Sequence, residues 1–259
     1  MNDTGSRSEK GSRKFVWTKL SPAQKTITFL IIVIGGWFIR MVDFTFGILF
    51  SIWYMAFVNR LYPKPDRDVS LGFQKPRKHW WAFVIIVVLM MIVAFLPFYF
   101  LSSLCPMHLF DPILKTVYNL VGNNLGLTIF LMYIAIGTFT VYAEELFFRG
   151  FLQDAIDEFA SLERGNEKMQ LTKHRAMTLL AASLMFGVSH VNLLWANMVS
   201  WARVTPEIPF IIIGVLSLSG VGYLFGILRI KSNSIFPAII AHAIGNFFMV
   251  AVPALILFT

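Results

Sequence analysis

The chain reads as an all-α membrane protein: a polytopic transmembrane helical bundle of about seven spans (six to eight) around a polar intramembrane site. Three observations predict it. First, 57% of the 259 residues are hydrophobic and the mean hydropathy is +0.68, far from the composition of a soluble domain. Second, apolar runs recur at 26–39, 44–58, 81–104, 125–143, 176–195, 208–228 and 234–258, and several reach the ~20 residues that cross a roughly 30 Å hydrocarbon layer. Third, ionisable side chains, costly in a bilayer, interrupt the later runs in an ordered way.

The elements follow in order from charge. Residues 1–25 form a basic tail, Ser/Gly/Lys/Arg-rich at its start, too polar for a secretory leader. The runs 26–39 and 44–58 are short, and we expect them to pair as a hairpin of two spans. With that hairpin, 19 of the 22 Lys and Arg fall in four segments on one side: the tail, 60–78, 149–175 and 229–231. The positive-inside rule makes that side, and the N-terminus, cytoplasmic. Span 81–104 follows, opened by the interfacial anchors Trp80 and Trp81. Residues 105–123 are expected to hold a short interfacial or re-entrant helix. The run 125–143 continues into Glu144, Glu145 and Arg149, and 154–175 reads as a solvated connector. Run 176–195 carries His190. Run 208–228 contains Gly222-Tyr-Leu-Phe-Gly226, a weak small-residue helix contact. Run 234–258 carries His242 and Asn246. Residues 26–123 thus form an N-terminal helical region, and 124–259 the part with chemistry.

Composition also excludes. The single Cys105 rules out an internal disulfide and a cysteine zinc site. The net charge of +8 fits retained cytoplasmic loops rather than nucleic-acid binding. The partners expected are membrane lipids and a membrane-tethered protein or peptide.

Three signatures carry the chemistry: Glu144-Glu145-Leu-Phe-Phe-Arg149, Phe186-Gly-Val-Ser-His190 and His242-Ala-Ile-Gly-Asn246. Residues four apart share a helix face, so Arg149 can pair with Glu145, and each helix offers one polar stripe. Glu144 lies about 100° round from Glu145. Counted from the nearest charged boundary, Glu144, His190 and His242 lie about 15, 22 and 16 Å deep if the helices are continuous. Three helices therefore bring ionisable groups to similar depth.

A carboxylate with two imidazoles suits water activation. His242 and Asn246 can donate hydrogen bonds to an oxyanion. Ser189 falls on a different helix face from His190, and no buried Asp completes a triad. Glu144, His190 and His242 also make a plausible zinc shell with an open fourth position, although no His-Glu-x-x-His motif is present. We favour water activation without a cofactor and keep zinc as the alternative. Taken singly, the Glu145–Arg149 pair, His190, and His242 with Asn246 can each be packing polarity; at matched depth they read as one site.

These motifs resemble those of the CPBP family of intramembrane proteases, also called the CAAX protease/ABI family, which includes the CAAX prenyl protease 2 enzymes. The family pattern is a Glu-Glu-x-x-x-Arg helix, a Phe-x-x-x-His helix and a His-x-x-x-Asn/Asp helix, met here in order between 144 and 246. The resemblance covers roughly 124–250 and implies endoproteolysis in or beside the membrane. It implies that Glu144 and His190 activate water, that His242 and Asn246 form the oxyanion hole, and that Glu145 and Arg149 support the site. The compact basic chain suggests a bacterial cytoplasmic membrane, where a prenylated substrate is not expected. Two other functions compete: a non-catalytic immunity or scaffold protein, and a transporter with a proton relay, which no inverted repeat supports.

Overall fold

The computed structural model describes residues 75–104, 111–153, 171–191 and 208–259, with scattered positions besides. Among the described residues every regular element is helical. Nearly all of the expected hairpin 26–58 and of the tail 1–25, and most of the 154–175 connector, lie outside them.

Helix α1 spans Trp80–Leu104 and α2 spans Asp111–Leu120, within the segment expected to hold a short helix. Gly122 and Asn123 turn the chain in the left-handed region, at φ 68° and 61°. Asn124 then caps α3, its side chain accepting from the Leu127 N–H at 3.0 Å. Helix α3 is one continuous run of four stretches: α-helical Leu125–Met132, π-helical Tyr133–Thr140, α-helical Val141–Glu145 and π-helical Leu146–Leu152. Apolar patterning does not foresee the two wide stretches. They flank Glu144 and Glu145, and π insertions often accompany functional sites.

Helix α4 spans Leu171–Val188, α5 spans Ile208–Ser232 and α6 spans Phe236–Phe258. α4 starts five residues before the apolar run because Lys173 and Arg175 are good helix formers, so the helix extends into its charged boundary. α5 ends where Asn233 turns to φ 55° and the Ser232 hydroxyl takes the Leu228 carbonyl at 2.6 Å. Pro237 opens α6, where its missing N–H costs nothing.

Leu125–Gly150, Ile211–Ser232 and Phe236–Phe258 are each long and apolar enough to cross a membrane; Trp80–Val93 and Ala176–Val188 are shorter apolar helices. Large apolar side chains such as Ile85, Ile86, Leu89 and Leu216 remain exposed, as lipid-facing sides would. The chain is a helical integral membrane protein.

Among the described residues, two cores hold the helices together. Val84, Val87 and Met91 of α1 pack on Val221, Phe225 and Leu228 of α5 and on Ala238 and Ala241 of α6. Leu114 of α2 packs on Met132 and Ile136 of α3 and on Val250 and Ala254 of α6. α4 lies close along α5, and α3 touches both α4 and α6. The closeness has a cause in Gly187, Gly222 and Gly226. A Cβ on Gly187 would strike the Ser219 hydroxyl and the Val215 carbonyl; one on Gly226 would strike Leu179. Four helices, α3 to α6, therefore enclose a common centre.

Candidate active site

Glu144 and Glu145 enter that centre from α3, between its two π stretches. Arg149 follows one turn later. All three are at most 2% exposed. Arg149 donates from Nη1 to Glu145 Oε1 at 3.1 Å and from Nη2 to the Gly222 carbonyl of α5 at 3.0 Å. Its guanidinium carbon lies 4.3, 5.3 and 5.7 Å from the ring centroids of Phe186, Phe225 and Phe148. A buried cation thus meets a carboxylate, a carbonyl and aromatic faces, each of which offsets lost hydration.

His242 reaches in from α6 and bridges the two glutamates. Its Nδ1 lies 2.8 Å from Glu145 Oε1 and its Nε2 lies 3.7 Å from Glu144 Oε2. Glu145 also holds Arg149, so it is the acceptor and His242 Nδ1 carries the proton. Phe225 stacks on the imidazole, centroids 4.7 Å apart at 23°, and Phe186 meets it edge-on at 5.9 Å.

His190 comes from the end of α4. Its Nε2 lies 3.7 Å from Glu144 Oε1, and its Nδ1 lies 2.8 Å from the Phe186 carbonyl. A carbonyl only accepts, so Nδ1 is protonated and, in the neutral ring, Nε2 holds the lone pair. The continuous helix expected over 176–195 is corrected here: α4 stops at Val188, and the His190 N–H closes a tighter turn onto Gly187 O at 3.1 Å. Both the Ser189 hydroxyl, at 2.7 Å, and His190 Nδ1 take the Phe186 carbonyl, so side chains compete with the backbone ladder. Ser189, expected on another face, therefore sits 3.2 Å from His190 Nδ1.

Asn246 lies one turn beyond His242. It donates from Nδ2 to the Ile136 carbonyl, in the first π stretch, at 3.3 Å. That contact engages one of its two amide hydrogens.

Five of the six expected residues (Glu144, Glu145, Arg149, His190 and His242) thus form one connected cluster, and Asn246 borders it through α3. Each Glu144 oxygen faces an imidazole. The patterned signatures missed Phe225 and the Gly222 carbonyl. Both stand on α5, which carries no motif; the only hint was the Gly222/Gly226 spacing. Among the described residues, no group of three or more His, Cys, Asp or Glu side chains is arranged to hold a metal ion.

A family model, type II CAAX prenyl endopeptidase Rce1-like, matches residues 126–248. Every site residue named above lies within that range. No curated protein and no solved structure matches the chain.

Proposed function

We propose that this chain, whose residues 126–248 match the Rce1-like type II CAAX prenyl endopeptidase model, is an intramembrane endopeptidase that cleaves membrane-tethered proteins or peptides with activated water. The observation that carries the reading is the placement of the Glu144 oxygens, each 3.7 Å from the Nε2 of a histidine. That is too long for a direct hydrogen bond and suits a water that bridges the two groups from the side.

The reading gives His242 a hydrogen on each nitrogen: Nδ1–H holds Glu145 and Nε2–H is a donor. His190 stays neutral, with its lone pair toward the water.

The water then donates one hydrogen to Glu144 Oε1 and the other to His190 Nε2, leaving an oxygen lone pair for the scissile carbonyl carbon. As the C–O bond forms, Glu144 takes the proton and the carbonyl pair moves onto oxygen. The oxyanion accepts from His242 Nε2–H and from the second amide hydrogen of Asn246. Collapse re-forms the carbonyl and breaks the C–N bond, and the departing nitrogen takes the proton from Glu144. Glu145 and Arg149 position His242. Every step is carried by the chain's own side chains; zinc on Glu144, His190 and His242 is the alternative tested below.

The wider setting we propose is seven spans in a bacterial cytoplasmic membrane with the N-terminus inside. The test is cleavage of a membrane-tethered reporter by purified protein in lipid. Wild-type-like turnover by both Glu144→Gln and His190→Ala would sink the reading and favour a non-catalytic membrane protein.

A further inference from the structure

His242 has two polar handles, and both depend on the plane of its ring. The 2.8 Å bond from Nδ1 to Glu145 fixes one corner. The ring turns only about its Cβ–Cγ bond, and that rotation carries Nδ1 off Glu145 and Nε2 away from Glu144, 3.7 Å off in the structure. Besides the Nδ1 bond and the Phe186 edge at 5.9 Å, what opposes the rotation is the face of Phe225, stacked at 4.7 Å and 23°. Phe225 is fully buried, wedged between α5, α1 and α6 in the core with Val84, Val87 and Ala241, so its own plane is held by close packing. The Gly222 carbonyl, one turn earlier on α5, holds Arg149, the other partner of Glu145.

Resting on the endopeptidase reading above, we infer that Phe225 is a positioning residue for the reaction: its flat face sets the plane of His242 so that Nδ1 meets Glu145 while Nε2 faces the reacting atoms. An aliphatic side chain of similar size fills the space and supplies no plane. The role is geometric, so it acts after substrate has bound and separates turnover from binding.

The experiment compares wild type, Phe225→Leu and Phe225→Met in lipid nanodiscs. The readouts are steady-state cleavage of the tethered reporter, thermal unfolding, and 15N spectra of the ring nitrogens, with His242 assigned by its loss in His242→Ala. We expect kcat to fall about ten- to a hundredfold, as for a misplaced catalytic group, with KM within about twofold. The single His242 environment of the wild type should give way to exchange-averaged nitrogen signals, with unfolding still cooperative. If Phe225→Leu does not fold, Phe225→Met carries the same comparison. A folded variant with wild-type kcat, or with unchanged His242 signals, overturns the inference. A wild type that cleaves nothing, or a Glu144→Gln protein that cleaves normally, overturns the endopeptidase reading instead, and the nitrogen spectra still decide whether Phe225 orients the ring.

Discussion

His242 donates from Nδ1 to Glu145 Oε1 over 2.8 Å, joining α6 to α3 across 97 residues of chain. The same oxygen accepts from Arg149 at 3.1 Å. One carboxylate oxygen therefore anchors an imidazole and a guanidinium, and Glu144 is left to face the two Nε2 atoms. This division of the adjacent glutamates, one structural and one facing the reaction centre, underlies the predictions.

Glu144→Gln keeps shape and polarity and removes the proton acceptor. Turnover of a tethered reporter should fall by about 10²- to 10⁴-fold, the usual contribution of a general base. Thermal unfolding should stay near wild type, since the amide keeps the size of the side chain and leaves the Glu145–Arg149 pair intact.

Glu145→Gln should behave in the opposite way. It leaves Arg149, 2% exposed, without its carboxylate, and stranding a buried charge costs about 3–5 kcal/mol. The unfolding midpoint should drop clearly. Adding Arg149→Met should recover much of that loss while activity stays low, because His242 Nδ1 then meets a neutral amide oxygen in place of the carboxylate. A double variant no more stable than Glu145→Gln would show that the ion pair is not the source of the loss.

Gly187→Ala tests the packing that delivers His190. The new methyl meets the Ser219 hydroxyl and the Val215 backbone carbonyl, so α4 and α5 must separate. Overpacking of this kind costs about 1–3 kcal/mol. Activity should fall further than stability suggests, because His190 lies three residues on. Gly220→Ala on the same helix pair, where a Cβ meets nothing within 4 Å, is the control and should be near neutral.

Purified active protein should retain its turnover after exhaustive chelation and contain no stoichiometric metal by elemental analysis. Activity abolished by chelator and restored by zinc would instead assign Glu144, His190 and His242 as ligands.

Much of this was legible in the sequence because it is local. The Glu145–Arg149 pair follows from four-residue spacing on a helix. Glu144 lies about 100° from Glu145, so helix spacing alone does not give the two carboxylates a common partner. It joins the cluster because His242 inserts between the two and presents a different nitrogen to each. The Ser189 contact is hidden from the sequence for a similar reason. A continuous helix separates it from His190, but the turn after Val188 brings its hydroxyl to 3.2 Å. Phe225 has no polar atom and looks like any core phenylalanine; its role is visible only once α5 and α6 are packed together.

Residue type and spacing along the chain were enough to establish a helical membrane protein with carboxylates, imidazoles, an arginine and an amide arranged in stripes at common depth. Hydropathy and helical periodicity act over one or two turns, so they survive in a single sequence. Which nitrogen faces which oxygen is another matter. That depends on how closely α4 approaches α5 through Gly187 and Gly226, on the π stretches that reset the register of α3, and on the flat face that α5 lays against His242. Those are contacts between segments far apart in the chain, and no local pattern encodes the angle at which they meet.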